Sequence, residues 1–153
     1  HRSLPVVAPA RGLHADGVRR ALAAIGAEQS LNRQTGAFHA AAWCGMDGGL
    51  RLVREDIGRH NALDKVIGAM ARAGARPIEG FLLVTSRLSF EMAQKAIMAG
   101  VPALVGMSAP TSAAIGLAEQ AGMTLLAFAR GRDFACYAHP DAMDMQDAAA
   151  RLA

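Results

Sequence analysis

The chain has 153 residues and a mass of 15.9 kDa, enough for one compact domain and too little for separate cofactor and substrate domains. Hydrophobic residues at 52%, charged residues at 19% and a mean hydropathy of +0.20 exclude general disorder, and 5% aromatics favour an aliphatic α/β interior over a β-sandwich. The net charge of +3 comes from fourteen arginines and two lysines, Lys65 and Lys95, against thirteen acids; planar guanidinium groups suit phosphate or carboxylate ligands, and no run of like charge forms a nucleic-acid stripe.

The opening segment, residues 1–15, carries proline and arginine without periodicity, and residues 16–153 read as a single α/β domain. Because the chain opens at His1 with no initiator methionine, it reads as either carrying the remnant of a tag or being a processed fragment. His1 to Ala10 lacks the basic-then-apolar layout of a signal peptide, and no window approaches the about 20 apolar residues of a membrane span, so a cytoplasmic protein is expected. A helix is predicted near Gly17 to Ala27, with Val18, Leu22 and Ile25 on one face, then a strand near Phe38 to Trp43 that turns through Gly45, Gly48 and Gly49 into the next strand as a hairpin.

From Leu50 one rhythm repeats three times: an apolar run, a polar cluster, an amphipathic helix and an Ala-Gly stop. The runs are Leu50 to Val53, Phe81 to Val84 and Ala103 to Met107; the helices close at Ala73-Gly74, Ala99-Gly100 and Ala121-Gly122, where glycine supplies the left-handed residue that ends a helix. A last strand is predicted over Thr124 to Ala129, and a short helix over residues 140–153. Short apolar strands joined by helices imply a sheet covered on both faces, a three-layer α/β/α sandwich with a mixed, largely parallel sheet.

In such sheets ligands gather beyond the carboxyl ends of the parallel strands. The clusters Arg54-Glu55-Asp56, Thr85-Ser86-Arg87, Ser108 to Thr111 and Arg130-Gly131-Arg132 are expected to converge there as an anion site. Two readings stand side by side: the serines, threonines and Asp56 are helix caps alone, or caps that also bind ligand, with Arg59, Arg87, Arg130 and Arg132 unneeded as caps. Asn61 with Asp64 fits a capping-box-like pair. His60, before a helix, and His39, at a strand start, read equally as structural or as ligand-contacting. The sequence holds no GxxxxGK[ST] loop, GxGxxG fingerprint, HxE with CxxC, or GxSxG elbow, which argues against nucleoside triphosphatase, Rossmann dehydrogenase, zinc deaminase and α/β-hydrolase chemistry. Cys44 and Cys136 each follow an apolar stretch and read as buried thiols, with Cys44 as a reactive nucleophile in a further reading.

REDIGRHNALDKVIG at Arg54 to Gly68, TG-x-x-HAAA at Thr35 to Ala42, SFEMAQKA at Ser89 to Ala96 and SAPTS at Ser108 to Ser112 together resemble the FdhD/NarQ family of formate dehydrogenase accessory sulfurtransferases, over roughly residues 30–140. The resemblance implies a cytidine-deaminase-like α/β/α domain without the zinc site. It implies binding of the molybdenum cofactor bis-molybdopterin guanine dinucleotide, with GDP as a surrogate, and transfer of sulfur from a cysteine desulfurase to that cofactor before it enters formate dehydrogenase. It also implies a homodimer. The family's cofactor turn matches Phe128-Ala129-Arg130-Gly131-Arg132-Asp133: Arg130 and Arg132 would hold phosphate, Asp133 would accept from guanine, and Ser108, Thr111 and Arg87 would close the pocket beside His39, Arg59 and His60. Three departures accompany the match. Ala37 stands for the family's second glycine after TG, Ser86 stands for the glycine before Arg87, and the C-G-x-C-type loop that carries the persulfide upstream of TG-x-x-HAAA does not occur in this sequence. The expected role is therefore the cofactor-binding part of a sulfur carrier, with a non-catalytic adaptor docking on formate dehydrogenase or the desulfurase as the alternative.

Overall fold

The computed structural model describes residues 4–31, 38–130, 133–143 and 150–152, with positions 30, 31, 129, 130 and 150–152 described by their backbone alone. Helix α1, Ala15–Leu31, buries Ala15, Val18, Ala21, Leu22 and Ile25 and extends past the expected bounds at both ends. Strands β1, His39–Gly45, and β2, Leu50–Asp56, form the expected hairpin. Then follow α2, Arg59–Ala73; β3, Gly80–Val84; α3, Phe90–Met98; β4, Ala103–Gly106; α4, Ser112–Ala121; β5, Thr124–Arg130; β6, Asp133–Ala138; and β7, Ala150–Leu152. Gly74 and Gly122 end α2 and α4 in left-handed conformation, at φ of 66° and 78°.

The strands lie in the order β2-β1-β3-β4-β5-β6-β7. β3, β4 and β5 are parallel, β1 is antiparallel to both neighbours, β6 returns antiparallel to β5, and β7 runs parallel with β6. The sheet is thus mixed with a parallel centre. Because the order β3-β4-β5 is monotonic, right-handed crossovers put α3 and α4 on one face. There Leu63, Val66, Met92, Ile97 and Leu117 pack with Leu82, Leu104 and Leu125. The other face carries α1, whose Val18, Leu22 and Ile25 meet Ala42, Phe81, Leu83, Val105 and Leu126. Each fully buried aliphatic or aromatic side chain here contributes about 1.5–3 kcal/mol relative to exposure.

Two expectations are corrected. Arg54-Glu55-Asp56 does not form a loop: β1 offers pairing partners up to its first residue, in the register His39 to Asp56, Ala40 to Glu55 and Ala41 to Arg54, so β2 continues through all three. In place of a helix over 140–153, Pro140–Ala142 makes a single 3-10 turn behind a left-handed His139, and residues 150–152 pair with Phe134, Ala135 and Cys136. β2 is an outer strand of the sheet, and two of its carbonyls are occupied by cations: Arg54 Nη1 donates to Val53 at 2.8 Å and Lys65 Nζ to Glu55 at 3.0 Å.

Candidate functional site

Strands β2, β3, β4 and β5 point the same way, so their carboxyl ends share one rim with the amino ends of β1 and β6. This topology brings His39, Arg59, His60, Arg87, Ser108, Thr111, Phe128 and Asp133 to the same end of the sheet, as the sequence reading expects. Gly131, Arg132 and the side chains of Ala129 and Arg130 lie outside the described residues.

At the β3–α3 and β4–α4 junctions the polar side chains are absorbed by the backbone. Thr85 extends the β1–β3 ladder: its N–H donates to the Ala40 carbonyl at 3.0 Å and its Oγ1 accepts from the Ala40 N–H at 3.0 Å. Ser86 is buried, donating to the Arg87 carbonyl at 3.2 Å and resting on Met92 Sδ at 3.7 Å. Ser89 accepts from the Met92 N–H at 3.3 Å and Thr111 from the Ala114 N–H at 3.1 Å, each satisfying one of the N–H groups left over at a helix start. The two junctions are laced together, with the Leu88 N–H donating to the Ala109 carbonyl at 3.2 Å and the Thr111 N–H to the Leu88 carbonyl at 2.9 Å. The Phe128 N–H reaches the Ser108 carbonyl at 3.2 Å, joining β5 to the same lacing. Gly106 makes the fit possible, since a Cβ there would lie 2.5 Å from the Leu88 side chain.

The β2–α2 junction is built differently. The helix begins at Arg59, and its N-cap residue Gly58 has no side chain to cap with. Asp56 acts from two residues upstream: its Oδ1 accepts from the Gly58 N–H at 2.9 Å and from Asn61 Nδ2 at 3.4 Å, and its Oδ2 pairs with Lys65 Nζ at 2.7 Å. The lysine bond first, and then the Gly58 N–H, hold this carboxyl down at about 2. The expected Asn61 and Asp64 capping pair is therefore corrected. Asn61 turns back to Asp56, while Asp64 accepts from Lys95 on α3 at 2.7 and 2.8 Å. The early helix start also moves His60 from a position before α2 to its second residue, half-buried.

What remains on the rim after these bonds includes two arginines, two histidines, an aromatic ring and the acid Asp133. Arg59 and Arg87 are exposed, and neither has an ion pair with a described residue. His39 is half-buried, opposite Asp56 in the register. Phe128 sits in a bulge of β5 with φ of 55°, is 48% exposed, and its ring lies 6.1 Å from that of Tyr137. A non-glycine residue in this conformation is uncommon and has no signature in the sequence. Asp133 is exposed and is the backbone register partner of Arg130 in the β5–β6 ladder. Guanidinium groups without carboxylate partners among the described residues, aromatic surface and helix starts can together hold a phosphate-bearing ligand with a flat ring system.

The thiols are elsewhere. Cys44 is fully buried toward the far end of β1, and burial followed by the nearby Asp47 pushes it up to about 12. Cys136 is buried in β6, donates to the Ala138 carbonyl at 3.3 Å and is pushed by burial up to about 11. Burial thus favours the neutral thiol over the thiolate at both positions. A groove of about 460 Å³ runs between α1 and the β1–β2 hairpin, walled by Arg20, Ala24, Ala27, Glu28 and Leu50, and none of the expected site residues lines it.

Sulfur carrier protein FdhD of Xanthomonas campestris pv. campestris (strain B100) is 52% identical over 141 residues, which cover 92% of this chain and 50% of that protein. The protein of the same name from Variovorax paradoxus (strain S110) is 50% identical over 139 residues, covering 91% of this chain and 50% of that protein. This chain thus spans about half the length of these relatives. A crystal structure described as a formate dehydrogenase accessory protein from Desulfotalea psychrophila superposes with a TM-score of 0.81 at 25% identity, covering 93% of this chain and 60% of that one. The model of the FdhD/NarQ family matches residues 2–144, and the chain belongs to that family.

Proposed function

We propose that this chain is the cofactor-holding part of a sulfur carrier protein, and that its rim binds bis-molybdopterin guanine dinucleotide as substrate on the way to formate dehydrogenase. One observation carries the reading: four strand ends and the start of β1 bring Arg59, Arg87, His39 and His60 to one rim, and the two arginines have no ion pair with a described residue. Exposed guanidinium groups suit the pyrophosphates of a dinucleotide, and exposed Phe128 offers a face to its rings. In this reading Arg130 and Arg132 add phosphate contacts and Asp133 accepts from the guanine edge. Thr111 and Ser108 close the turn through the backbone.

When bound, the substrate supplies the metal-dithiolene centre that receives sulfur. The chain's own residues hold and orient it, and shield the site from water. Both cysteines are buried, so the persulfide-bearing thiol is proposed to belong to a part of the longer protein outside these 153 residues. A cysteine desulfurase would load it, and a homodimeric, cytoplasmic carrier is part of the proposal; no helix of the described residues is long and apolar enough to cross a membrane.

The test is a thermal-shift and calorimetric titration with GDP beside ATP. Selective GDP binding is expected, and Arg87→Ala is expected to weaken it about three- to ten-fold, below the roughly 1.5–3 kcal/mol of a charge-assisted bond because the side chain is exposed. Equal binding of both nucleotides, or unchanged affinity in the variant, overturns the assignment. The adaptor reading has its own observation: Ile57, Phe128 and Phe90 are 75%, 48% and 38% exposed at this rim. Capture of formate dehydrogenase that is indifferent to saturating GDP and lost in Ile57→Asp would favour it.

A further inference from the structure

We infer that Asp56 is a positioning residue for the rim: it fixes the turn from β2 into α2 so that Arg59 and His60 are held beside His39 at the strand ends. The inference rests on the substrate reading above. Its basis is the geometry of one carboxylate with three donors. Gly58, the N-cap of α2, has no side chain to cap with, and the turn into the helix is held by Asp56 through the bonds from the Gly58 N–H at 2.9 Å and Asn61 Nδ2 at 3.4 Å. Lys65, nearly two turns into the helix, closes on the same carboxylate at 2.7 Å and on the Glu55 carbonyl at 3.0 Å. Arg59 and His60 lie inside the loop of chain that these bonds close. Asp56 is also the register partner of His39, which ties the end of β2 to the start of β1 at this corner.

The charge balance gives the inference a sign of its own. An acid beside an anion site repels the ligand, and removing it should raise affinity by simple electrostatics. Positioning requires the opposite. In calorimetric titration with GDP, Asp56→Ala is expected to lose at least three-fold in affinity although it carries one negative charge fewer, and Asp56→Asn, which keeps an acceptor for Gly58 and Asn61, is expected to stay within about two-fold of the parent. A folded Asp56→Ala that binds GDP as well as the parent, or better, overturns the inference while leaving the substrate reading intact. A parent chain that does not bind GDP overturns both. Should Asp56→Ala fail to fold, Asn61→Ala carries the test, because it removes one bond of the turn and leaves every charge in place. A loss of about two-fold in GDP affinity supports the role, and an unchanged affinity refutes it.

Discussion

The junctions β2–α2 and β4–α4 start helices at the same rim by different means. At β4–α4 the cap is local: Thr111 bonds to the Ala114 N–H, and the loop is laced to its neighbour through Leu88. At β2–α2 the helix start is held by a carboxylate on the preceding strand and a lysine further along the helix. The difference shows where ligand-binding capacity lies. A locally capped helix uses its hydroxyl on itself, whereas the β2–α2 turn draws on residues outside the first turn and leaves Arg59 and His60 unspent.

The largest expected effect breaks the lacing of the β4–α4 side. Leu88 is fully buried between the two loops, and Leu88→Ala is expected to cost about 2–5 kcal/mol in urea unfolding, as a cavity under both helix starts. A loss below about 1 kcal/mol would mean that backbone bonds alone hold these loops. Next in size, Thr111→Ala is expected to cost about 1 kcal/mol, and Thr111→Ser to restore most of it. Full stability in Thr111→Ala would end the distinction between the two junctions. The smallest effect belongs to the β2–α2 side and appears in its pH dependence. The Asp56 carboxyl is held at about 2 against an ordinary 3.8, so the native state binds this proton less readily than the unfolded chain. The stabilisation is complete above about pH 4 and disappears as pH falls through 2. Melting temperatures of the parent and Asp56→Asn should therefore converge between pH 4 and pH 2; a gap constant across that range would show that the pair with Lys65 contributes nothing to folding.

Much of this architecture is written locally. Phe81 to Val84 and Ala103 to Val105 are unbroken apolar runs because both of their faces are covered, and the Ala-Gly stops at 73–74 and 121–122 fall where left-handed residues end α2 and α4. β2 was harder to bound: as an outer strand paired only to β1 it tolerates Arg54, Glu55 and Asp56, and a polar run reads as loop. Convergence of the candidate site was legible because the strand-helix rhythm dictates which turns share a rim. Its internal division of labour was not. Asn61 and Asp64 have capping spacing, yet their partners are Asp56 and Lys95, five and thirty-one residues away, and only the turn of β2 into α2 and the position of Lys95 on α3 bring them together. The left-handed Phe128 has no local signal either, and it falls where the register between β5 and β6 shifts, between Ala127 and Arg130.

Lys65 links this corner to colloidal behaviour. Its ammonium neutralises Asp56 and also sits on a carbonyl of the sheet's outer strand, where Arg54 covers another. Exposed strand borders recruit other chains into fibrous stacking, and positive charge along them is a common deterrent. Acid discharges the aspartate but leaves the ammonium, so the corner can loosen at low pH without opening the sheet to self-association. Removing the lysine gives up both protections at once, and such a chain would be marked by turbidity in concentrated solution at neutral pH.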